Sequence, residues 1–395
     1  MSDPLALIAA WARSAVAPHG GAFGALQPHE IAAPVLRVLL QRAGVPAQAV
    51  DAVVIGNALG AGGNPARMLA LASGLPDGCA AFSIDTQCCS GVDAVSMAVG
   101  LLASGQASVV IAGGVEAWSR SPIRQVRPMS ADEPAVVYER PAFSPDPSRD
   151  PDLLVSAADY AQQYGFSRVQ QDAYAVLSHQ RAMTHRVALA TEIVPVHGLQ
   201  LDAYPRVMDL LRVARMPVAV QATAMQSVAK PCEDPPTDCS VSTLAIAAKA
   251  DGAALVLLAT PQACKGLGLS PLAAWVTSAS VGGDSGTPLV VAEKAAMAAL
   301  SRAGLESMER MGVIELHDAF AVQGLSFCKA FGLDPARINR RGGGLARGHP
   351  IGASGAISMV RMLSDLHRDE ASGACGLVAV AGAGGIGSAA IFKRL

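Results

Sequence analysis

The sequence RAGVPAQAVDAVVIGN at residues 42–57 returns in related form as RAGLESMERMGVIELH at residues 302–317. A second pair of related stretches follows, SVVIAGG at residues 108–114 and GLVAVAGAGG at residues 376–385. Such self-similarity indicates that one structural unit occurs twice in the chain. In both copies, near-continuous apolar runs alternate with segments of helical period, which is typical of a mostly parallel sheet covered by helices on both faces. We therefore predict a duplicated α/β fold with pseudo-twofold symmetry.

A long stretch between the two copies breaks this pattern. Residues 120–151 contain seven prolines, which is typical of an irregular surface segment, and residues 152–187 have a helical pattern. We interpret this stretch as an insertion that covers the substrate. The predicted units are an N-terminal half of residues 1–119 and 251–270, an inserted loop domain of residues 120–250, and a C-terminal half of residues 271–395.

Composition excludes several classes of protein. A chain with 51% hydrophobic and 16% charged residues is not disordered. The 30 basic and 32 acidic residues give a net charge of −2, and no stripe of Lys and Arg with interleaved aromatics is present, so nucleic acid is not an expected partner. The eight cysteines include no CxxC pair, so we expect neither a disulfide framework nor a metal site.

The N-terminal sequence carries no targeting or membrane signal. Its short apolar run follows Asp3 instead of a basic segment, which differs from a secretory signal peptide. No stretch approaches the ~20 apolar residues of a membrane span. We therefore expect a cytoplasmic protein, without a membrane partner, whose first strand lies near the N-terminus.

The segment IDTQCCSG at residues 84–91 contains a candidate nucleophile, Cys88. It follows an apolar strand pattern and precedes a helix whose start shows a capping pattern, Ser90-x-x-Asp93. A thiol at the positive end of a helix dipole favours the thiolate, which is the nucleophilic form. The alternative is that Cys88 is a small buried side chain without a chemical role.

Two histidines stand at places suited to function. His349 lies in GGGLARGHPIGASG at residues 342–355, where the glycines allow backbone and substrate to approach the imidazole closely. His317, in ELHDAF at residues 315–320, ends an apolar strand, where functional groups gather in an open α/β sheet. For each of them a purely structural role is the alternative.

The segment GAGGIG at residues 382–387 matches the GxGxxG pattern of dinucleotide-binding proteins. That interpretation fails on position, because Leu395 leaves no room for the crossover helix, the next strand and the acidic residue that holds the ribose. The glycines instead favour close approach of the backbone to a substrate carbonyl, with an N–H acting in an oxyanion hole.

In order and spacing, several motifs together resemble the thiolase family of the condensing-enzyme superfamily over nearly the whole chain. These motifs are the CxS-type segment CCSG at 88–91, GGVEAWSRSP at 113–122, EIVPV at 192–196, HDAF at 317–320, the GHP motif of residues 348–350, and the terminal glycine-rich strand and turn. The resemblance implies an α/β fold of two βαβαβαββ halves in five layers with an inserted loop domain. It also implies a homodimer or a dimer of dimers that acts on coenzyme A thioesters without a bound cofactor.

The resemblance also implies roles for the site residues. Cys88 would attack an acyl donor after His349 takes its proton, which gives an acyl-enzyme. The backbone N–H groups of Cys88 and Ala383 would hold the thioester oxygen, and His317 with His349 would hold the enolate oxygen of the second acyl unit. The reaction would make or cleave a carbon–carbon bond next to a thioester.

Three departures from the family pattern leave alternatives open. Thiolases carry an acid/base cysteine in a terminal CxG loop, where this chain has Ala381, and sterol-carrier-protein-type thiolases carry one in HDCF, where it has Ala319. The segment that reads TAGNSS in thiolases and lines the pantetheine channel is here residues 242–247, STLAIA. The alternatives are a decarboxylative condensation that uses Cys88, His317 and His349, with the second substrate on coenzyme A or a carrier protein, and a non-catalytic thiolase-like subunit.

Overall fold

A computed structural model of the chain describes residues 4–60, 62–223 and 238–395. Residues 1–3 of the predicted N-terminal half and residues 224–237 of the predicted loop domain lie outside the described residues. In the parts of the chain that the structure describes, no helix is long and apolar enough to cross a membrane.

The N-terminal half alternates strands and helices, as the sequence pattern predicts. Its final strand comes only after the inserted segment and is followed by a short helix. The elements are β1 (Leu7–Ser14), β2 (Ala17–Pro18), α1 (Pro28–Ala43), β3 (Ala52–Gly56), α2 (Pro65–Ala72), β4 (Ala80–Ile84), α3 (Ser90–Ala103), β5 (Val109–Ala117), β11 (Ala250–Ala259) and α8 (Pro261–Leu267).

The inserted segment consists of short strands and of helices. The proline-rich part is mostly irregular, and the part with the predicted helical pattern contains two helices of several turns. The elements are β6 (Arg124–Val126), β7 (Val136–Tyr138), α4 (Leu153–Tyr164), α5 (Arg168–Thr184), α6 (Arg186–Ala190), β8 (Ile193–Val194), α7 (Leu210–Val213), β9 (Val218–Val220) and β10 (Val241–Ser242).

The C-terminal half repeats the alternation of the N-terminal half. The elements are β12 (Ala273–Gly282), α9 (Val291–Arg302), β13 (Met311–His317), α10 (Ala321–Phe331), α11 (Gly344–Arg347), α12 (Ile351–Asp369), β14 (Cys375–Gly382) and β15 (Ile386–Arg394). The repeated RAG segments end α1 and α9, and the apolar runs that follow them form β3 and β13.

Strand order confirms the duplication. The strands of the first half lie in the order β1-β11-β5-β3-β4, and those of the second half in the order β12-β15-β14-β13, so equivalent strands occupy equivalent places. The halves differ at the edge strand β4, the third long strand of the first half along the chain. In the second half a single parallel bridge between Ile314 and Ile338 takes its place. The residues around Ile338 include Pro335 and a run of three glycines at 342–344, which disfavour a regular strand. The two sheets meet through a short antiparallel pairing of β1 with β12.

The helices form three layers around the two sheets, which gives the predicted five-layered architecture. Helices α1 and α2 cover the outer face of the first sheet, and α9 and α10 cover that of the second. Helices α3 and α12 pack against each other between the sheets. In α12 every residue from Gly352 to Leu366 is buried, as expected for a helix in a central layer.

Two glycines at equivalent places of the halves let the central helices cross closely. A Cβ atom on Gly91 of α3 would lie 2.6 Å from the backbone nitrogen of Ala356, and one on Gly355 of α12 would lie 2.8 Å from the Val92 side chain. Only glycine permits such an approach of two backbones. Because Cys88 precedes α3 and His349 precedes α12, this crossing brings the two candidate site residues together.

The inserted segment holds two loops of the C-terminal half. Helix α5 packs against α10 and α11. The Tyr174 hydroxyl of α5 donates a hydrogen bond to Asp318 Oδ2 at 2.9 Å, and the Ser178 hydroxyl accepts one from the N–H of Gly343 at 2.9 Å. These bonds hold the residue next to His317 and the start of the loop that carries His349.

Candidate active site

Cys88 lies in a tight turn between β4 and α3. The turn, residues Gln87–Cys89, is a single turn of 3-10 helix, and Gln87 adopts a φ of 53°, which non-glycine residues rarely do. The Asp85 carboxylate accepts a hydrogen bond from the Gln87 N–H at 2.9 Å and so stabilises this conformation. Strained backbone held by its surroundings is frequent at functional sites, and here it presents the thiol at the helix start.

The predicted capping of α3 by Ser90 is wrong. Ser90 is already the first helical residue, and its hydroxyl accepts a bond from the Thr86 N–H at 2.9 Å while it donates one to the Gln87 carbonyl at 2.6 Å. Asp93 accepts a bond from the Thr86 hydroxyl at 2.6 Å and one from Ser388 of the other half at 2.7 Å. Both side chains therefore stabilise the turn around Cys88 instead of the helix end.

The Cys88 thiol is protonated in the resting protein, which corrects the expectation of a thiolate. Burial raises the pKa of Cys88 to about 12, because a thiolate is poorly solvated there. The backbone N–H groups of Ala383 and of Cys88 itself lower the pKa through hydrogen bonds to the sulfur, but burial dominates. Such a thiol becomes a nucleophile only when a nearby base removes its proton.

A base of this kind lies within hydrogen-bonding distance. His349 Nε2 is 3.2 Å from Cys88 Sγ. The loop that carries His349 is fixed by a bond from its N–H to the Ala248 carbonyl at 2.7 Å. Burial lowers the pKa of His349 to about 4, so its imidazole is neutral at physiological pH and has a nitrogen lone pair to accept the thiol proton.

His317 lies directly behind His349. Its Nε2 atom is 2.8 Å from His349 Nδ1, and the ring centroids are 4.5 Å apart. Burial, and to a lesser degree the neighbouring His349 and Arg347, lower the pKa of His317 well below its ordinary value. The structure thus brings the three predicted side chains together in the order Cys88, His349, His317.

The backbone donors predicted for the oxyanion hole face the same place. The N–H groups of Cys88 and Ala383 both bond to the Cys88 sulfur. Two donors that converge beside a nucleophile are suited to hold the oxygen of a tetrahedral intermediate. This assignment stays a prediction.

Glu116, which was not predicted from the sequence, stabilises the backbone around the site. Its carboxylate is 1% exposed and accepts hydrogen bonds from the side chain of Asn57 at 2.8 Å and from the N–H of Gly352 at 3.0 Å, as well as from two backbone groups after Asn57. Burial raises the pKa of Glu116 to about 7. The carboxylate joins the ends of β3 and β5 to the first turn of α12. A lone acidic residue at the end of an apolar strand, GGVEA at residues 113–117, was the available signal.

Alanines occupy the two positions where thiolases carry acid/base thiols. Ala381 is 7% exposed and Ala319 packs against the same hydrophobic cluster. Neither side chain can exchange a proton. In residues 4–60, 62–223 and 238–395 no group of three His, Cys, Asp or Glu side chains is placed to hold a metal ion.

We expect iodoacetamide to label Cys88 and to spare its neighbour Cys89. Cys89 is fully buried, its Sγ lies 3.5 Å from the Val380 carbonyl, and burial raises its pKa well above the ordinary value. Cys88, in contrast, has the His349 base beside it. Peptide mapping after brief labelling checks this, and modification of Cys89 with Cys88 untouched would contradict it.

A half-buried cysteine beside a neutral histidine, with two backbone donors at the sulfur, defines the class of covalent acyl-transfer sites. Sequence comparison agrees with this class. The thiolase N-terminal domain profile matches residues 6–262, and the thiolase C-terminal domain profile matches residues 269–394. The chain belongs to the thiolase family.

Proteins similar to this chain include acetyl-CoA acetyltransferases and a thiolase. An acetyl-CoA acetyltransferase of Allochromatium vinosum is 33% identical over 398 residues, covering 97% of each chain. The crystal structure of the Bacillus anthracis acetyl-CoA acetyltransferase superimposes with a TM-score of 0.88 at 28% identity and full coverage of both chains. An Ascaris suum thiolase solved in complex with coenzyme A gives 0.87 at 27% identity, covering 99% of this chain and 100% of that one.

Proposed function

We propose that this protein is an acyltransferase that makes or cleaves a carbon–carbon bond next to the thioester of an acyl-CoA, by Claisen condensation or thiolysis through an acyl-Cys88 intermediate. The observation that carries the proposal is the 3.2 Å contact of Cys88 Sγ with His349 Nε2, in a chain whose two halves match both thiolase domains. The acetyl-CoA acetyltransferase relatives support an acetyl or other acyl thioester of coenzyme A as the donor.

In the first half-reaction His349 Nε2 takes the proton of the Cys88 thiol. The thiolate attacks the carbonyl carbon of the acyl-CoA, and the backbone N–H groups of Cys88 and Ala383 hold the oxygen that becomes negative. When the tetrahedral intermediate collapses, the bond to the coenzyme A sulfur breaks. Coenzyme A leaves as a thiol after it receives one proton, and the acyl group remains on Cys88.

In the second half-reaction the α-carbon of another acyl-CoA attacks the acyl-Cys88 carbonyl. This step needs a base to take the α-proton, a donor to hold the enolate oxygen, and a proton for Cys88 Sγ when its bond to the acyl carbon breaks. His349 Nε2, beside Sγ, would take the α-proton and return it to Sγ at that bond cleavage. While it carries that proton, Nε2 is also suited to hold the enolate oxygen. In the resting structure His317 Nε2 faces His349 instead, so joint donation by both histidines requires His317 to turn.

The exposed edge of the first sheet supports a proposal about assembly. Strand β4 lies at the edge of the first sheet with Phe82 46% exposed, and such an edge is suited to pairing with a second copy. We therefore propose a homodimer or a dimer of dimers. The cytoplasmic location expected from the sequence stays part of the proposal. We propose no bound cofactor, since Cys88, His349 and the two backbone donors would supply the groups that acyl transfer needs. From the near-balanced charge of the chain we propose no nucleic-acid partner.

The experiment that tests the proposal compares acyl donors. The protein is supplied with acetoacetyl-CoA plus coenzyme A, with acetyl-CoA alone, and with acetyl-CoA plus carboxyl-labelled malonyl-CoA, while thiol and labelled CO₂ are followed. We expect thiolysis or condensation without any need for the malonyl donor. Turnover that requires malonyl-CoA and releases CO₂ would replace the proposal with decarboxylative condensation. No turnover with any donor would favour a non-catalytic subunit, against which the intact Cys88–His349 pair argues.

A further inference from the structure

The Nδ1 atom of His349 has two neighbours. Ser354 Oγ lies 2.6 Å away and His317 Nε2 lies 2.8 Å away. Ser354 belongs to the first turns of α12, and neither the motif pattern nor the family resemblance assigns it a role. If Nδ1 carries the imidazole proton and donates a hydrogen bond to a neighbour, Nε2 has a free lone pair. Because Nε2 lies 3.2 Å from the thiol, it can then act as a base.

We assign the resting tautomer of His349 from the two hydrogen bonds of Ser354. A hydroxyl has one hydrogen, and Ser354 Oγ lies 3.0 Å from the Pro350 carbonyl, which can only accept. The hydroxyl therefore donates to Pro350 and accepts from His349, so this hydrogen-bond network assigns the imidazole proton to Nδ1. The lone pair of Nε2 is then directed at Cys88, and His349 is ready to act as a base.

We propose that Cys88, His349 and His317 form a proton relay, in which His317 stores the proton that leaves Cys88 and Ser354 sets the tautomer that starts the transfer. As the S–H bond breaks, Nε2 of His349 gains that proton and Nδ1 passes its own proton to Nε2 of His317. His349 is then neutral again with its proton on Nε2, and the charge on His317 balances the thiolate.

The stored proton has a defined destination, which rests on the proposed function. When the coenzyme A thiolate departs, Nε2 of His349 protonates it and His317 returns a proton to Nδ1, which restores the resting state. In thiolases a second thiol is available for proton exchange, but Ala381 and Ala319 stand at its possible places in this chain. The relay provides the proton exchange of the first half-reaction without that thiol.

The charged groups around His317 make the stored state short-lived. Arg347 lies close enough to disfavour a second positive charge, as does His349. The neighbouring Asp318 carboxylate accepts bonds from Tyr174 and from the Gly344 N–H, so it is engaged elsewhere. Glu315, two residues earlier on the strand, is fully buried and lies 3.7 Å from Arg347. His317 therefore gives its proton back readily once the thiolate has reacted.

The test reads the thiol directly, as the rate of Cys88 alkylation by iodoacetamide against pH. We expect His317→Asn to slow alkylation at neutral pH by at least about tenfold and to move the profile to higher pH, since asparagine keeps a hydrogen bond but cannot take a proton. Ser354→Ala should change the profile in the same direction, and Ser354→Thr should restore it. Ser364→Ala and His367→Asn, both on α12 and outside the relay, serve as controls with far-UV circular dichroism as a check of folding.

An unchanged profile in folded His317→Asn would overturn the relay. The same holds if Ser354→Thr behaves like Ser354→Ala, because the hydroxyl would then not be what matters. His349→Ala separates the two proposals. If it slows alkylation while His317→Asn does not, only the relay fails. If it leaves alkylation unchanged, the Cys88–His349 pair of the proposed function fails as well.

Discussion

Replacement of Cys88 by alanine is expected to abolish acyl transfer. The acyl group is carried on Sγ of Cys88, which lies beside His349 and two converging backbone donors. Removal of a covalent nucleophile from a comparable catalytic unit lowers turnover on the order of 10⁶-fold. We expect a loss of that size in thiolysis of acetoacetyl-CoA, measured as thioester consumption under saturating substrate.

The neighbouring cysteine provides the matched control. Cys89→Ala removes a buried thiol of the same turn without touching the hydrogen bonds of Cys88, so activity should stay within about tenfold of the parent. The prediction would be contradicted if Cys88→Ala kept substantial turnover while Cys89→Ala lost it. That result would show that Cys89, and not Cys88, is the nucleophile.

Replacement of His349 by alanine should slow formation of the acyl-enzyme by about 10²–10⁴-fold, the usual loss when a general base is removed. Because burial keeps the pKa of Cys88 near 12, little thiolate forms without the imidazole. Stopped-flow measurement of coenzyme A release in a single turnover checks the rate. His367→Ala, in the last turn of α12, is the control and should leave the rate unchanged.

The pH dependence of acylation gives a second readout for His349. A pKa of about 4 means that the imidazole is neutral, and so able to accept a proton, at every pH above that value. The acylation rate should therefore hold from neutral pH downwards and fall only as the pH approaches 4. This acid limb should disappear in His349→Ala. A limb near the ordinary histidine value in the parent protein would show that the base is not buried as described.

Much of the fold could be predicted from the repeat itself. The two RAG segments and the apolar runs after them predicted equivalent strands, and β3 and β13 take equivalent places in their sheets. The pattern did not show that the second half has only a bridge at Ile338 where the first half has β4. Proline, glycine and tertiary contacts determine the conformation of that segment, and hydrophobic periodicity does not report them. Nor did it show that Gly91 and Gly355 face each other.

The candidate site was predicted only in part. Cys88, His317 and His349 were found from local motifs, but Glu116 and Ser354 act through partners that local patterns do not reveal, such as Gly352 for Glu116. The Ser90 cap was predicted wrongly because Ser90 already lies in the helix, where its hydroxyl bonds to the turn before it. Its predicted partner Asp93 accepts bonds from serines of the other half.

The expected thiolate at Cys88 was wrong because the helix dipole is a small effect beside burial. A charge at a helix start gains about 0.3–1 kcal/mol, less than the 1.36 kcal/mol that corresponds to one pKa unit. Burial in an interior of low polarity shifts a pKa by up to 3–5 units. The position of Cys88 at the start of α3 and the approach of Ala383 could be predicted from the sequence, whereas the extent of burial around the thiol could not.

Detection of the acyl-enzyme is the most direct test that Cys88 is the nucleophile. The protein is mixed with acetyl-CoA, quenched in acid and measured by intact-mass spectrometry, with the modified peptide then mapped. We expect one acetyl group for each chain, located on Cys88 and absent from Cys88→Ala. An acetyl group on any other residue, or no acyl adduct with acetyl-CoA or longer acyl-CoA donors, would contradict it.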